Sequence, residues 1–276
     1  MPRNARAQFV AQLYVTDIDQ ESNFGLVREY NATTGAVIKA HFITGLGLPS
    51  GLALGGLPSA IVPTLFVVNS SEVGKFNADT GAAIKAHFIT GLGSPFGIAL
   101  SGNILFLSDA TTGNVGKYNA TTGAVIKAHF ITGLDDSEGL AVKGNTLFVS
   151  NIVGESRGTV GEYNATTGAV IKADFITGLQ IPIGLAVTDN RLFVANQFSG
   201  TVGVYDATTG AVIKADLIKG LSRPQELALL GNTLFVANNG TGTVGKYDAT
   251  TGGAINAGFV TGLNATEGIA VKPPLQ

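Results

Sequence analysis

The side chains in this sequence with chemistry to offer are few: three histidines, two glutamates that each precede a glycine, and six Asp or Asn residues that each close an apolar run. His41, His87 and His129 stand in three copies of the segment Lys-Ala-His-Phe-Ile-Thr-Gly-Leu, at steps of 46 and 42 residues. An imidazole can be a base or a zinc ligand, but zinc–nitrogen bonds are about 2 Å long, and residues recurring once per repeat stand on neighbouring sheets about 10 Å apart. The same position carries Asp174, Asp216 and Gly258 in later copies, so a solvated rim is expected there. Glu138 and Glu267 lie in the words Glu-Gly-Leu-Ala and Glu-Gly-Ile-Ala; the matching residues elsewhere are Ser50, Phe96, Ile183 and Gln225. The run-closing residues are Asp17, Asn69, Asp109, Asn151, Asn196 and Asn238. Carboxylate and amide oxygens gathered from several elements suit a hard cation such as Ca²⁺. Glu138, Glu267, Asp17 and Asp109 are the candidate metal ligands, and Asn69, Asn151, Asn196 and Asn238 complete the candidate binding set. No histidine joins the set as a base, and Phe96 and Ile183 make two of its positions apolar, so no catalytic residue is assigned.

A repeat must position these residues. Taking the glycine of each Thr-Gly pair as a marker, copies fall at Gly35, Gly81, Gly123, Gly168, Gly210 and Gly252, with steps of 46, 42, 45, 42 and 42. Each unit reads as four short strands, for example Gly97–Leu100, Ile104–Ser108, Asn114–Tyr118 and Ala124–Ile131, separated by Ser-Gly-Asn, Asp-Ala-Thr-Thr-Gly and Asn-Ala-Thr-Thr-Gly turns. Four-stranded units of about 42 residues, each covered on both faces by a neighbour, close radially. The expected fold is therefore all-β: a six-bladed β-propeller, one domain over 1–276. The sequence starts at a second strand, Leu13–Asp17, and finishes on a lone first strand, Gly268–Val271, so the C-terminal strand is expected to complete blade 1 and leave no open joint. In the fourth strand of a unit, Ala124, Ile126, Ala128 and Phe130 alternate with Val125, Lys127, His129 and Ile131, which predicts one buried and one solvated face.

In such a ring the start of each innermost strand and the end of each second strand meet at one mouth of the central channel. The candidate residues all belong to that mouth. The longest connections from second to third strand, Ile18–Gly25 and Ile152–Gly158, belong to blades 1 and 4, the blades of Glu267 and Glu138. An insertion at Gly55–Pro63 is expected to loop from the opposite face. The Asn-x-Thr sites at Asn31, Asn119, Asn164 and Asn264 match glycosylation acceptors, although three of them belong to the repeated turn.

Composition narrows the partners. Lys and Arg number 17 against 19 Asp and Glu, only 13% of residues are charged, and there is no cysteine. Binding to nucleic acid is not expected, nor is a disulfide or thiolate site. No run reaches the roughly 18 apolar residues of a membrane-spanning helix. Ala5-x-Ala7 has the small-residue spacing of a cleavage site, so residues 1–7 are read as a signal-junction remnant or a tail.

Pro95–Leu100, Gly144–Asn151 and Pro182–Val187 with Leu192–Asn196 resemble NHL-type propeller repeats. The Asn-Ala-Thr-Thr-Gly-Ala-Val hairpins are similar to those of secreted bacterial propellers with a PEP-CTERM sorting tail, although Lys272–Gln276 is not such a tail. That resemblance implies an extracellular or cell-surface protein. The mouth also looks like the channel site of gluconolactonase and paraoxonase-like propellers, where Glu before glycine and Asp or Asn at strand ends hold calcium. Two functional readings stand side by side. One is a monomeric binding or scaffold propeller for a protein, carbohydrate or small-molecule ligand; the other is a Ca²⁺-dependent lactonase, hydrolase or lyase.

Overall fold

The structure, a computed structural model, describes residues 10–55, 62–188 and 190–274. Its described residues form 24 strands, numbered here in chain order, in six four-stranded antiparallel sheets arranged as blades around a channel. Strands β1 (Gln12–Ile18), β2 (Gly25–Asn31) and β3 (Val37–Leu46) make blade 1 together with β24 (Ile269–Lys272). The innermost strands of blades 2 to 6 are β4 (Pro49–Gly55), β8 (Pro95–Ser101), β12 (Asp136–Lys143), β16 (Pro182–Val187) and β20 (Pro224–Leu230). Closure by the C-terminal strand is as expected: Gln12 pairs with Lys272, and Val15 with Ile269. The signal-junction segment 1–7 lies outside the described residues, as does most of the blade 2 insertion, residues 56–61.

The second strands carry the core. In each of blades 2 to 6 a Leu-Phe pair, such as Leu105-Phe106 or Leu147-Phe148, is buried, the leucine with no exposed surface. Each phenylalanine faces one blade interface and the leucine the other, so the apolar clusters form between blades. Phe106, Val115 and Phe130 of blade 3, for instance, pack with Leu140, Leu147 and Tyr163 of blade 4. A ring pair of 5.6 Å centroid separation, Phe106 with Phe130, recurs as Phe66 with Phe88 and Phe235 with Phe259. Burial of this kind stabilises each side chain by about 1.5–3 kcal/mol, and a blade without its neighbours loses it.

The repeated turn explains its own sequence. Asn119 Oδ1 accepts the N–H groups of Thr121 and Thr122, each at 2.9 Å, and Gly123 has φ 79°, which favours glycine. A Cβ on Gly123 would also strike the Phe88 carbonyl of the preceding blade. On the neighbouring third strand, Lys117 reaches across the joint and donates to the Ala165 and Thr166 carbonyls of the next turn, each at 3.0 Å. Lys75 and Lys246 do the same for Ala120 and Ala32.

The outermost strands differ from expectation. Val125–His129 are exposed on both faces, Val125 at 60% and Ile126 at 50%, and only Phe130 and Ile131 are buried. Blades diverge outward, so no neighbour covers either face, and register shifts against the third strand remove strict alternation. The three histidines lie exposed on these strands, His87 Nδ1 being 2.6 Å from Glu72 and His129 Nδ1 3.1 Å from Asn114.

Candidate functional site

The innermost strands of blades 2 to 6 begin with an irregularity. In blade 3, Pro95 pairs with Asp109 and the next pair is Ile98 with Leu107, so the inner strand spends three residues where its partner spends two. The same bulge occurs at Ser50-Gly51, Glu138-Gly139, Ile183-Gly184 and Gln225-Glu226. It places a side chain before the glycine at the channel and packs the glycine against the next blade. A Cβ on Gly51, Gly97, Gly139, Gly184 or Gly268 would run into the carbonyl of Phe96, Glu138, Ile183, Gln225 or Ser50, respectively. Hydroxyls from the second strands pin two of these bulges and the matching glycine of blade 1. Ser108 Oγ takes the Gly97 N–H at 2.8 Å and donates to the Glu138 carbonyl at 2.5 Å. Ser150 links Gly139 to the Ile183 carbonyl in the same way, and Thr16 accepts the Gly268 N–H at 2.7 Å. The start of each inner strand thus pairs with the end of the second strand at one mouth, as the sequence predicts.

The structure separates the candidate residues into two groups. Asp17, a sequence-predicted cation ligand, is fully buried and spends its carboxylate on the Asn264 and Ala265 N–H groups, at 2.7 and 3.2 Å, and on Arg28 Nε at 2.7 Å. Asp109 accepts from Gly93, Ser94 and Thr112 at 3.0–3.3 Å. Asn151 caps Asp135 and Asp136 at 3.0 and 3.2 Å, and Asn69 caps Gly47 at 2.7 Å. These four side chains hold the loop that feeds the inner strand. Asp17 and Asp109 therefore do not join Glu138 and Glu267 in one cation cluster. Among the described residues, no group of three or more His, Asp or Glu is placed to hold a metal ion.

Blades 5 and 6 break the capping pattern. Ile181 and Arg223 adopt positive φ, 51° and 50°, an uncommon state for a non-glycine and a strained one for a β-branched residue. Their carbonyls accept the Gln197 and Asn239 N–H groups at 2.9 and 3.2 Å, a bond that the Leu48 and Ser94 carbonyls make to Ser70 and Ala110 in blades 2 and 3 as well, so what sets blades 5 and 6 apart is the positive φ of the feeding residue. Asn196 Oδ1 and Asn238 Oδ1 are left buried without a partner.

Acidity concentrates on the same mouth. Burial, reinforced by the negative charges of Asp136, Glu267 and Glu226, pushes the Glu138 carboxyl up to about 8. Glu226 is pushed up to about 8 by burial, which a hydrogen bond from the Leu227 N–H partly opposes. Glu267 is raised by burial and lowered by the Arg223 guanidinium. Asp136 is raised by burial, against a hydrogen bond shared with Glu138. All four residues are half-buried. Beside Glu267 a cavity of about 350 Å³ is lined by Leu48, Ser50, Ser70, Ser94 and Phe96 among others. Phe24, Leu48, Val153 and Phe198, exposed by 60, 70, 40 and 68%, stand on the loops of this face.

Two of these residues escaped the reading of sequence alone. Glu226 replaces the glycine that stands at this position in the other five blades, which is a visible departure. Asp136 had no such signal; its role follows from the burial of its neighbour. Glu138 and Glu267 also follow Ser137 and Thr266 where the other four blades have proline, so two opposite blades share three departures from the repeat.

No protein-family model matches the sequence, and no curated protein is significantly similar to it. Among solved structures, a chain in the crystal structure of a nidogen/laminin complex superposes with a TM-score of 0.79 at 16% identity, over 96% of this chain and 100% of that one. The computationally designed Ika8 protein matches with a TM-score of 0.54 at 13% identity, over 95% of this chain and 90% of that one. At these identities the likeness is one of fold: a six-bladed propeller.

Proposed function

We propose that this propeller is a binding or scaffold protein whose ligand enters the mouth bearing Glu138, Glu226 and Glu267. One observation carries the reading: six oxygens in this end of the fold, on Asp136, Glu138, Asn196, Gln225, Asn238 and Thr266, are buried without a hydrogen-bond partner. A buried acceptor left unmade costs about 1–3 kcal/mol, and native chains retain few of them. A protein, carbohydrate or small molecule with donors to offer would repay that cost. The similar nidogen/laminin structure is a complex of two proteins, which supports a protein partner. An extracellular or cell-surface setting belongs to the same proposal and rests on the Ala5-x-Ala7 spacing and the hairpin resemblance.

The hydrolytic alternative has a weaker footing. It calls for a bound cation, and the carboxylates of Asp17 and Asp109 are occupied by Arg28 and by backbone donors.

The test is a titration of ¹⁵N-labelled protein with a panel of amines, amino acids, oligosaccharides and CaCl₂. Binding should shift the amides of Gly139, Leu227 and Gly268 and should be lost when Glu138→Gln and Glu267→Gln are combined. Shifts confined to the outer turns around Gly123 or Gly210, or full affinity in the double variant, would place the site elsewhere.

A further inference from the structure

Resting on that reading of the mouth, we infer that its ligand presents an organic cation, an alkylammonium or guanidinium group, to the arc formed by Glu138, Glu226, Glu267, Gln225, Asn238 and Phe96. The chemistry of the unpartnered atoms comes first. Three of the six, on Asn196, Gln225 and Asn238, are amide oxygens, which only accept, so what these lack is donors. Asn238 is 3% exposed and Gln225 6%. The Asn238 amide nitrogen donates to the Val236 carbonyl at 3.4 Å, which fixes its oxygen as the free end. Gln225 holds in blade 6 the channel position that Glu138 and Glu267 hold in blades 4 and 1, so its oxygen belongs to the same ring.

The spacing of the acceptors selects among cations. Calcium needs six to eight oxygens converging at about 2.3–2.6 Å, and no acidic trio among the described residues converges. Acceptors spread over three blades suit a cation whose donors are themselves spread: three on an ammonium, five in the planar fork of a guanidinium. A divalent ion of small radius could satisfy one or two of them only.

The walls are suited to the stem such a group carries. The 350 Å³ cavity beside Glu267 sets the Phe96 ring and the exposed Leu48 against a carboxyl. An aromatic face within about 6 Å of a cation attracts it, and aliphatic surface accepts its methylenes. The charge of the exposed Arg223 guanidinium opposes the effect of burial on Glu267, as an added cation would. Glu226 is the feature that makes blade 6 fit the role: it sets a carboxyl where five other blades have only glycine.

Cation uptake must ionise carboxyls that are held protonated. Glu138 and Glu226 are both pushed up to about 8; Asp136, Glu226 and Glu267 are the charged groups acting on Glu138, and Arg223 acts on Glu267. Binding therefore releases protons below that pH and tightens as pH rises through it.

Calorimetry on the full chain at about pH 8, near those raised values, tests this with four probes: 1,5-diaminopentane, its uncharged analogue pentane-1,5-diol, CaCl₂, and a short peptide with one central lysine. The diamine is expected to bind and the diol not, with affinity about tenfold or more weaker in Glu138→Gln/Glu267→Gln and unchanged in Lys85→Gln on an outer strand. Peptide binding without diamine binding would place the cation on a protein partner; diamine binding alone would identify a free amine; both support the inference. Shifts of the Gly139 and Gly268 amides in the unaltered protein keep the test independent of how the variants fold. Binding of the diol or CaCl₂ without the diamine would overturn the cation and leave the mouth a ligand site. Silence from all four probes at those amides would remove both.

Discussion

The two ends of the channel treat buried polar groups in opposite ways. At the end where chain closure occurs, Gln12 donates to Glu29 Oε1 at 2.6 Å, Lys272 donates to Gln12 Oε1 at 2.8 Å and pairs with Asp79, and Tyr14 donates to the Ala78 carbonyl at 2.5 Å. Glu29 Oε2, beyond hydrogen-bond reach, is still met by Lys39 Nζ at 3.6 Å. Burial raises Glu29, but Lys39 and Lys272 oppose it. At the mouth Asp17 is matched by Arg28, but Glu138 faces Asp136, Glu226 and Glu267, and the amide oxygens of Asn196, Gln225 and Asn238 meet no donor. Where only folding matters, a buried charge is matched; at the mouth, blades 4, 5, 6 and 1 each carry at least one buried oxygen that is not. The contrast separates polar residues that specify the closure from polar residues held ready for something else.

The largest effect should come from removing the closure. Truncation after Leu263 deletes β24 and the Thr266 and Gly268 contacts, opening both joints of blade 1. The cooperative thermal transition should be lost or move down by tens of degrees, and an unchanged melt would mean that β24 is not what closes the ring.

Single changes at the two ends should differ in sign. Lys272→Met strips a buried network of its cation and should cost about 3 kcal/mol by urea denaturation, somewhat less if water reaches the partly exposed Asp79. Glu226→Gln at the mouth should stabilise. A carboxyl whose folded value lies above its unfolded one favours the fold while protonated, so stability is present below the ordinary glutamate range and is lost as pH rises from about 4.5 to about 8. The melting temperature of the unaltered protein should therefore fall across that window, and Glu138→Gln with Glu226→Gln should flatten the fall. A melting temperature that rises over the window, or a double variant with the original slope, would show that these acids are solvated and that the two ends do not differ.

The smallest and sharpest comparison uses one substitution at one repeat position. Asn151→Leu removes the acceptor for two N–H groups and should cost about 1–2 kcal/mol. Asn238→Leu removes an oxygen that no donor reaches and should stay within about 0.5 kcal/mol of the original. Equal losses in chemical denaturation would assign Asn238 an ordinary structural role.

These pairs also mark what the sequence could and could not tell. The ring and its closure were legible because six copies repeat the same strand and turn chemistry and one strand is displaced from the end to the beginning. The mouth was legible as a place, through Glu138, Glu267 and the long loops, but not as a set of roles. Asp17 and Glu267 look alike as carboxylates at strand ends. Only the backbone of the feeding loop decides that one meets N–H groups and the other meets open channel. The turn at Ile181 and Arg223, where non-glycine residues take positive φ, carries no residue-type signal at all. The outer strand misled through its regular alternation, because nothing stands beyond it to use the pattern.

The pairing of Gln12 with Lys272 fixes more than the ring. β1 starts, and β24 stops, on the face away from the mouth, side by side in one sheet. A linker, a label or a surface attached at either end would hold the molecule by its back, leaving the acidic opening turned outward and unobstructed. Force applied between the same two ends would act on the neighbouring pair first and part the four pairs from Gln12 to Val15 in succession, as a zip opens. Such a handle is well oriented for display and poorly suited to bearing load.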